Sequence, residues 1–273
     1  MSKTGQGKAF KKKSNIFDYY SKDLSTVSSQ WNIKIGEPDG KDVNTYLCPI
    51  SFKIFEKSAI EKGELTLEHV PPESLGGKGI ILTAKEINSR HGSANDKKLL
   101  QYINTRYFIE GAGSLPVYFS SEECRIKGLK LDLLIDKKEK GLSFSASERH
   151  ISVLDKMGIF KNWDGSKMKF SGKGFRHPDK SAILKIAYLL AFHRLGYQLI
   201  LEPKQVVNPS FKKIGNYLAG DLEFQESIPI VGLRDELAPI SKGILGVVVS
   251  PIDYQCLVVN FSIGIKDKSP YNL

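Results

Sequence analysis

A chain of 273 residues with 40 Lys plus Arg against 30 Asp plus Glu, a formal charge of +10 and 41% hydrophobic residues has the makings of one large or two small folded domains. The positive excess favours polyanionic partners such as nucleic acid or acidic lipid. No stretch of about 18 uncharged apolar residues is present, and the lysines after Met1 lead into no apolar segment, so neither membrane spanning nor export is expected.

In chain order, residues 1–40 read as a basic arm and linker, with Lys3, Lys8, Lys11, Lys12 and Lys13 at the start and only the short apolar clusters Ile16-Phe17 and Tyr19-Tyr20. Such an arm either solubilises or touches a phosphate backbone. From Tyr46 to about Thr105 the punctuation changes to short strands at Leu47–Ile50 and Leu65–Val70, a loop with Pro71-Pro72 and Gly76-Gly77, and then helical spacing through Ala84, Ile87, His91, Asn95, Leu99, Leu100 and Ile103. The unit reads ββα. Beyond Tyr107, strands are expected over Lys130–Asp136 and Leu142–Ser145, with a hairpin over Phe160–Phe170 turning at Asp164-Gly165. A strong helix is predicted over Asp179–Leu195, opened by Pro178 and closed by Gly196. Apolar runs at Tyr197–Leu201, Ile228–Leu233, Ile244–Val249 and Gln255–Ile263 read as buried strands. The three cysteines, Cys48, Cys124 and Cys256, form no Cys-x-x-Cys pair, which implies neither a disulfide framework nor a thiolate zinc site and suits a reduced, cytoplasmic protein.

The informative stretch is Leu65-Thr-Leu-Glu-His-Val-Pro-Pro-Glu-Ser-Leu-Gly-Gly followed by Asn88-Ser-Arg-His-Gly-Ser-Ala-Asn-Asp. It resembles the HNH (ββα-metal) endonucleases over roughly residues 46–105, through Glu68-His69 at a strand end, the Gly-Gly loop, Asn88 opening an Asn-x-x-x-Gly segment, and Asp96 shortly after. The resemblance implies that Glu68 and Asn88 bind Mg²⁺ or Mn²⁺ and that His69 activates the attacking water. The residue types suit that chemistry. A near-neutral imidazole accepts a water proton at working pH, and oxygen donors hold a hard divalent cation. Glu68 and His69 alternate across an ideal strand, so a shared site requires the strand to end or bulge between them. His91, three residues after Asn88 on the same helix face, reads as a further metal ligand, a phosphate contact or an exposed histidine without a role. Arg90 reads as a phosphate clamp or an ordinary surface arginine.

Two departures from the family pattern stand out. Relatives often carry a structural zinc on two Cys-x-x-Cys pairs; here the first pair reads Cys48-Pro-Ile-Ser51 and the second falls on Ala84 and Ile87, so no structural zinc is expected and the C-terminal region is expected to brace the motif. Gly79-Ile80 also stands where many relatives carry an asparagine that supports the base. Elsewhere, lysines that include Lys167, Lys169 and Lys173 interleave with Phe160, Trp163, Phe170 and Phe175, a mixture that holds a nucleic-acid backbone or simply solvates a hairpin face. His150, His177 and His193 read as structural or surface residues.

The expected architecture is α+β: the basic arm and linker (1–40), an HNH nuclease unit (41–106), and a C-terminal α+β domain (107–273) with a mostly antiparallel sheet and one long helix that positions substrate or partner. The expected activity is metal-dependent hydrolysis of DNA, in phage defence or restriction, with a second copy or a defence-system protein as further partners. The alternatives are a catalytically silent nucleic-acid-binding or scaffold protein of HNH-like fold and an RNA-directed nuclease.

Overall fold

The N-terminal residues form a helix. In the computed structural model, α1 (Lys3–Trp31) buries Phe17, Tyr20, Leu24 and Val27, a 3-4-3 spacing that makes one apolar stripe, while Lys8, Lys11 and Lys12 stay exposed. The expected arm is thus anchored by its second half. The structure describes residues 3–35, 44–121, 126–136, 141–156, 169–171, 180–203, 206–220, 245–248, 256–259, 262–263 and 271–272. It mixes helices with small antiparallel sheets, and no helix among the described residues is long and apolar enough to cross a membrane.

After α1 come β1 (Thr45–Leu47) and β2 (Ile54–Glu56), an antiparallel pair, and the short helix α2 (Ser58–Glu61). The turn between β1 and β2 is closed by Cys48 N–H donating to the Lys53 carbonyl and Phe52 N–H to the Cys48 carbonyl, each at 2.9 Å. A hairpin follows, β3 (Leu65–Val70) against β4 (Lys78–Ala84), and β4 runs directly into α3 (Lys85–Ile109). The two helical stretches expected around Asn95 are therefore one helix. Gly77 in the hairpin loop lies against the Pro71 carbonyl, where any Cβ would collide with backbone.

The contacts divide the chain into two units, residues 1–97 with 179–273, and residues 98–178. This differs from the division expected at 40 and 106. Residues beyond 178 rejoin those before 98 because α5 (Lys180–Leu195) packs on both strands of the β3–β4 hairpin. Along α5 the residues from Ser181 to Phe192 are buried or half-buried on all sides, so it serves as the unit's central helix.

Between these segments lie β5 (Ser114–Ser121), β6 (Ile126–Asp136), β7 (Gly141–Ser145), α4 (Glu148–Lys156) and β8 (Lys169–Ser171). Together with the end of α3 they form the second unit, an antiparallel sheet in the order β7-β6-β5-β8. Val117, Phe119, Leu131, Leu133 and Leu154 make its core, with Phe108 and Phe144 packed against them. The hairpin expected over Phe160–Phe170 lies outside the described residues except for its last two positions, which begin β8.

Tyr197–Leu201, expected as a strand, is instead a 3₁₀ turn (Gly196–Gln198) that continues as turn, with Leu201 N–H donating to the Tyr197 carbonyl at 3.0 Å. A short apolar run is buried equally well by either geometry, and Gly196 at φ +61° selects the turn. A side chain at Gly196 would also strike the Asp23 carboxylate, which accepts from Tyr197 N–H at 2.8 Å. A helix that the apolar pattern did not reveal, α6 (Pro209–Ala219), is capped by Asn208, whose side-chain oxygen accepts from Ser210 N–H at 2.9 Å. Short strands β9 (Leu245–Val248) with β10 (Cys256–Val259), and β11 (Ser262–Ile263) with β12 (Tyr271–Asn272), complete the described chain. Ile228–Leu233 lies outside the described residues.

An aromatic cluster joins the parts of the first unit. Tyr20 stacks on Phe192 with ring centroids 5.0 Å apart, Phe192 meets Tyr197 edge-on at 5.2 Å, and Phe17 lies 5.7 Å from Tyr46. Their hydroxyls are satisfied. Tyr46 donates to the Leu82 carbonyl at 2.6 Å, Tyr197 to the Leu47 carbonyl at 2.7 Å, and Tyr188 to the Pro49 carbonyl. Tyr188 and Tyr197 thereby grip the backbone on both sides of Cys48, a buried free thiol, and Ala84 and Ile87 are buried as well. Burial raises the pKa of all three hydroxyls well above the ordinary phenol value, which keeps them neutral donors.

Candidate active site

Side-chain alternation on the hairpin puts Thr66 and Glu68 on one face of β3. Thr83 pairs with Thr66 across the ladder and donates its hydroxyl to Glu68 Oε2 at 3.3 Å. Asn88, in the first turns of α3, reaches back with its side-chain amide to Thr66 Oγ1 at 3.1 Å. Eight residues further, just over two turns, Asp96 returns near the same helix face, with Asn95 beside it.

The second wall comes from α5. Ser181 and Lys185, one turn apart, face this group: Asn95 donates to Ser181 Oγ at 2.8 Å, and Lys185 Nζ lies 2.7 Å from Glu68 Oε1. The Lys185 and Glu68 side chains are only 8% and 6% exposed, so the pair is withdrawn from water. The ammonium holds ion-pair distance to the carboxylate without hydrogen-bond alignment, and no hydrogen bond to it forms among the described residues. Asn95, Asp96, Ser181, Ala182, Lys185 and Leu218 line a cavity of about 10 Å³ beside the pair.

Asp96 feels both charges. Burial pushes its carboxyl up to about 6, with Lys185 opposing the rise and Glu68 adding to it. Two carboxylates and one ammonium thus share a small, poorly hydrated space.

His69 is placed differently. The ladder shifts register between Glu68 and His69, with Glu68 opposite Ile81 and His69 opposite Gly79, so the extra residue is Ile80 on β4. The irregularity falls where a shared site requires one, but on the partner strand. β3 itself continues to Val70, and His69 alternates to the face of Leu67, half-buried. Among the described residues no hydrogen bond or ion pair links His69 to Glu68, Asn88 or Asp96, and no group of three or more His, Cys, Asp or Glu side chains is arranged to hold a metal ion.

The backbone of Arg90 and His91 belongs to α3, and that of Lys169 to β8, but their side chains lie outside the described residues, as do Lys167 and Lys173 entirely. Two site residues escaped the sequence pattern. Asp96 was visible as the end of the Asn88–Asp96 stretch, without an assigned role. Lys185 carried a plainer signal: it is the one charged residue between Ser181 and Phe192, in the middle of an apolar helix.

Comparison of the chain with known families, with curated proteins and with solved structures gave no match.

Proposed function

We propose that the protein is a metal-dependent endonuclease of the HNH (ββα-metal) kind that hydrolyses phosphodiester bonds, in DNA ahead of RNA. The observation that carries the reading is the buried Glu68 carboxylate beside Asp96 on a hairpin followed by a helix, with Asn88 tied to the same strand. The donors fit a hard divalent cation: Glu68, Asp96 and the Asn88 side-chain oxygen are the ligand types that Mg²⁺ and Mn²⁺ prefer, with His91 as a further ligand or phosphate contact. When bound, such a cation polarises the phosphoryl oxygen and stabilises the leaving oxygen.

The chain's own residues supply the rest. His69, next to the bulge, accepts the proton of the attacking water on a ring nitrogen. Thr66 fixes the Asn88 amide, and Thr83 fixes one oxygen of Glu68. Arg90, Lys167, Lys169 and Lys173 are the proposed phosphate-backbone contacts, which position the polymer without reading its sequence. By the same resemblance the products carry 5′-phosphate and 3′-hydroxyl ends, and the setting is cytoplasmic phage defence or restriction, with a second copy or a defence-system protein as further partners.

A second reading, a catalytically silent nucleic-acid-binding protein, is favoured by one feature: Lys185 already neutralises Glu68 while His69 alternates to the other face. One assay separates the two. Plasmid and RNA are incubated with protein and Mg²⁺ or Mn²⁺, with chelated controls. The nuclease reading expects metal-dependent cleavage that His69→Ala lowers by at least about a hundredfold, the usual scale of a lost general base. DNA binding without metal-dependent cleavage of either polymer establishes the silent reading.

A further inference from the structure

We propose that Lys185 is a built-in competitor for the divalent cation: its ammonium occupies the cation position of the Glu68–Asp96 carboxylate pair and must leave before a metal ion binds there. The inference rests on the nuclease reading above and adds to it a control on metal loading exerted by α5.

Three observations carry it. The ammonium stands 2.7 Å from Glu68 Oε1, so a metal ion bound at that oxygen and the ammonium exclude each other sterically as well as electrostatically. The contact lacks hydrogen-bond alignment, and Lys185 Nζ has no other hydrogen-bond acceptor among the described residues. The lysine is therefore held by charge more than by a directed bond, and a divalent ion matches two carboxylates better than a single positive charge does. Finally, Lys185 comes from α5, distant in sequence from the hairpin and α3 that bear the oxygen donors, and a cavity of about 10 Å³ lies against its side chain. A change of the Lys185 rotamer uncovers the carboxylate while the packing of α5 on β3 and its Asn95–Ser181 bond to α3 stay in place.

Manganese binding measured by electron paramagnetic resonance on the full chain tests the proposal. Lys185→Met is expected to bind Mn²⁺ roughly tenfold more tightly than the wild type, within the range common for coupled sites. If the wild type binds Mn²⁺ and the folded variant binds it no more tightly, the competition is overturned and the metal site stands. If neither binds, the metal reading falls and the competition with it. Removing the lysine leaves a buried carboxylate uncompensated, so the wild-type protein supplies a second measurement that does not depend on the variant folding. Acylation of Lys185 by an amine-specific reagent, read by peptide mass spectrometry, is expected to accelerate severalfold at saturating Mn²⁺ as the ammonium is displaced. An unchanged acylation rate under those conditions overturns the proposal.

Discussion

The two units of the chain handle their interiors in opposite ways. In the sheet unit the core is Val117, Phe119, Leu131, Leu133 and Leu154, and among its described residues no charged side chain is buried, while the buried Thr105 bonds locally to the Gln101 carbonyl. In the hairpin unit the interior holds Glu68, Lys185, Thr83 and Ser181, as well as tyrosine hydroxyls spent on backbone carbonyls. Both buried charged side chains among the described residues lie there. Burying a charge pair is neutral at best for stability, so an ion pair retained beside an apolar alternative points to a site and not to a structural brace.

The largest expected effect tests that contrast directly. Glu68→Ala strands the Lys185 ammonium in the interior and is expected to cost about 3–5 kcal/mol, whereas the double variant Glu68→Leu/Lys185→Met recovers most of the loss. Urea unfolding of both variants reads the difference. In the sheet unit, Leu131→Ala is expected to cost about 2–5 kcal/mol, and no second substitution rescues it by removing a charge. If the double variant in the hairpin unit is no better than the single one, the pair is not what limits stability there.

Next in size is Tyr197→Phe, which removes the hydroxyl bonded to Leu47 and leaves a buried carbonyl short of a donor, at about 1–3 kcal/mol. Tyr118→Phe on the sheet unit, half-exposed, is expected to leave the urea midpoint unchanged. Equal effects at the two positions would remove the bracing role given to the buried tyrosine.

Smaller effects appear with pH and carry opposite signs. Asp96 titrates near 6 in the folded protein against an ordinary 3.8, so the folded state holds this proton more tightly. Its stabilising contribution is complete below about pH 4 and is lost as pH rises through 6. Asp96→Asn is accordingly expected to gain on the wild type between pH 4 and 6.5 and to run parallel above it; parallel urea midpoints throughout would contradict the buried placement of Asp96. The smallest effect is at His193, whose pKa is lowered from 6.5 by burial and then by Arg194, and whose Nδ1 lies 3.0 Å from the Tyr20 hydroxyl. Here the neutral ring is favoured, so stability is present above pH 6.5 and lost as pH falls. His193→Gln should flatten that acid limb, and hydrogen exchange of the α1 amides at pH 5 reports it locally.

How much of this was legible in the sequence varied with the kind of signal. Periodicity found the long helix ending at Gly196 and the strands around Lys130 and Leu142, because each buries one clear face. It missed α1, whose stripe of Phe17, Tyr20, Leu24 and Val27 is diluted by lysines, and α6, whose Asn208-Pro209 start is a capping signal and not a hydrophobic one. At the site, the motif brought out Glu68 and Asn88, which the fold does gather on one face. Lys185 belongs to no local motif, since its partner lies over a hundred residues away in sequence, and only its isolation in an apolar helix hinted at burial. His69 points away from Glu68 because β3 keeps its alternation to Val70 while the extra residue, Ile80, falls on β4, and the motif around His69 does not show which strand carries the bulge.

The discontinuity of the hairpin unit sets an order of assembly. Its first 97 residues leave the ribosome without α5, and the sheet unit of residues 98–178 is made next. At roughly 5–20 residues per second, some 6–23 seconds pass between the emergence of Glu68 and that of Lys185. By the end of that interval strands β5 to β8 of the sheet unit have emerged and can pair, while Tyr46, Leu47 and Pro49 still wait for Tyr188 and Tyr197. The nascent hairpin therefore exposes an open carboxylate and uncovered aromatic surface until α5 closes over it, and the candidate site becomes a site only once Lys185 has followed the sheet unit out of the ribosome.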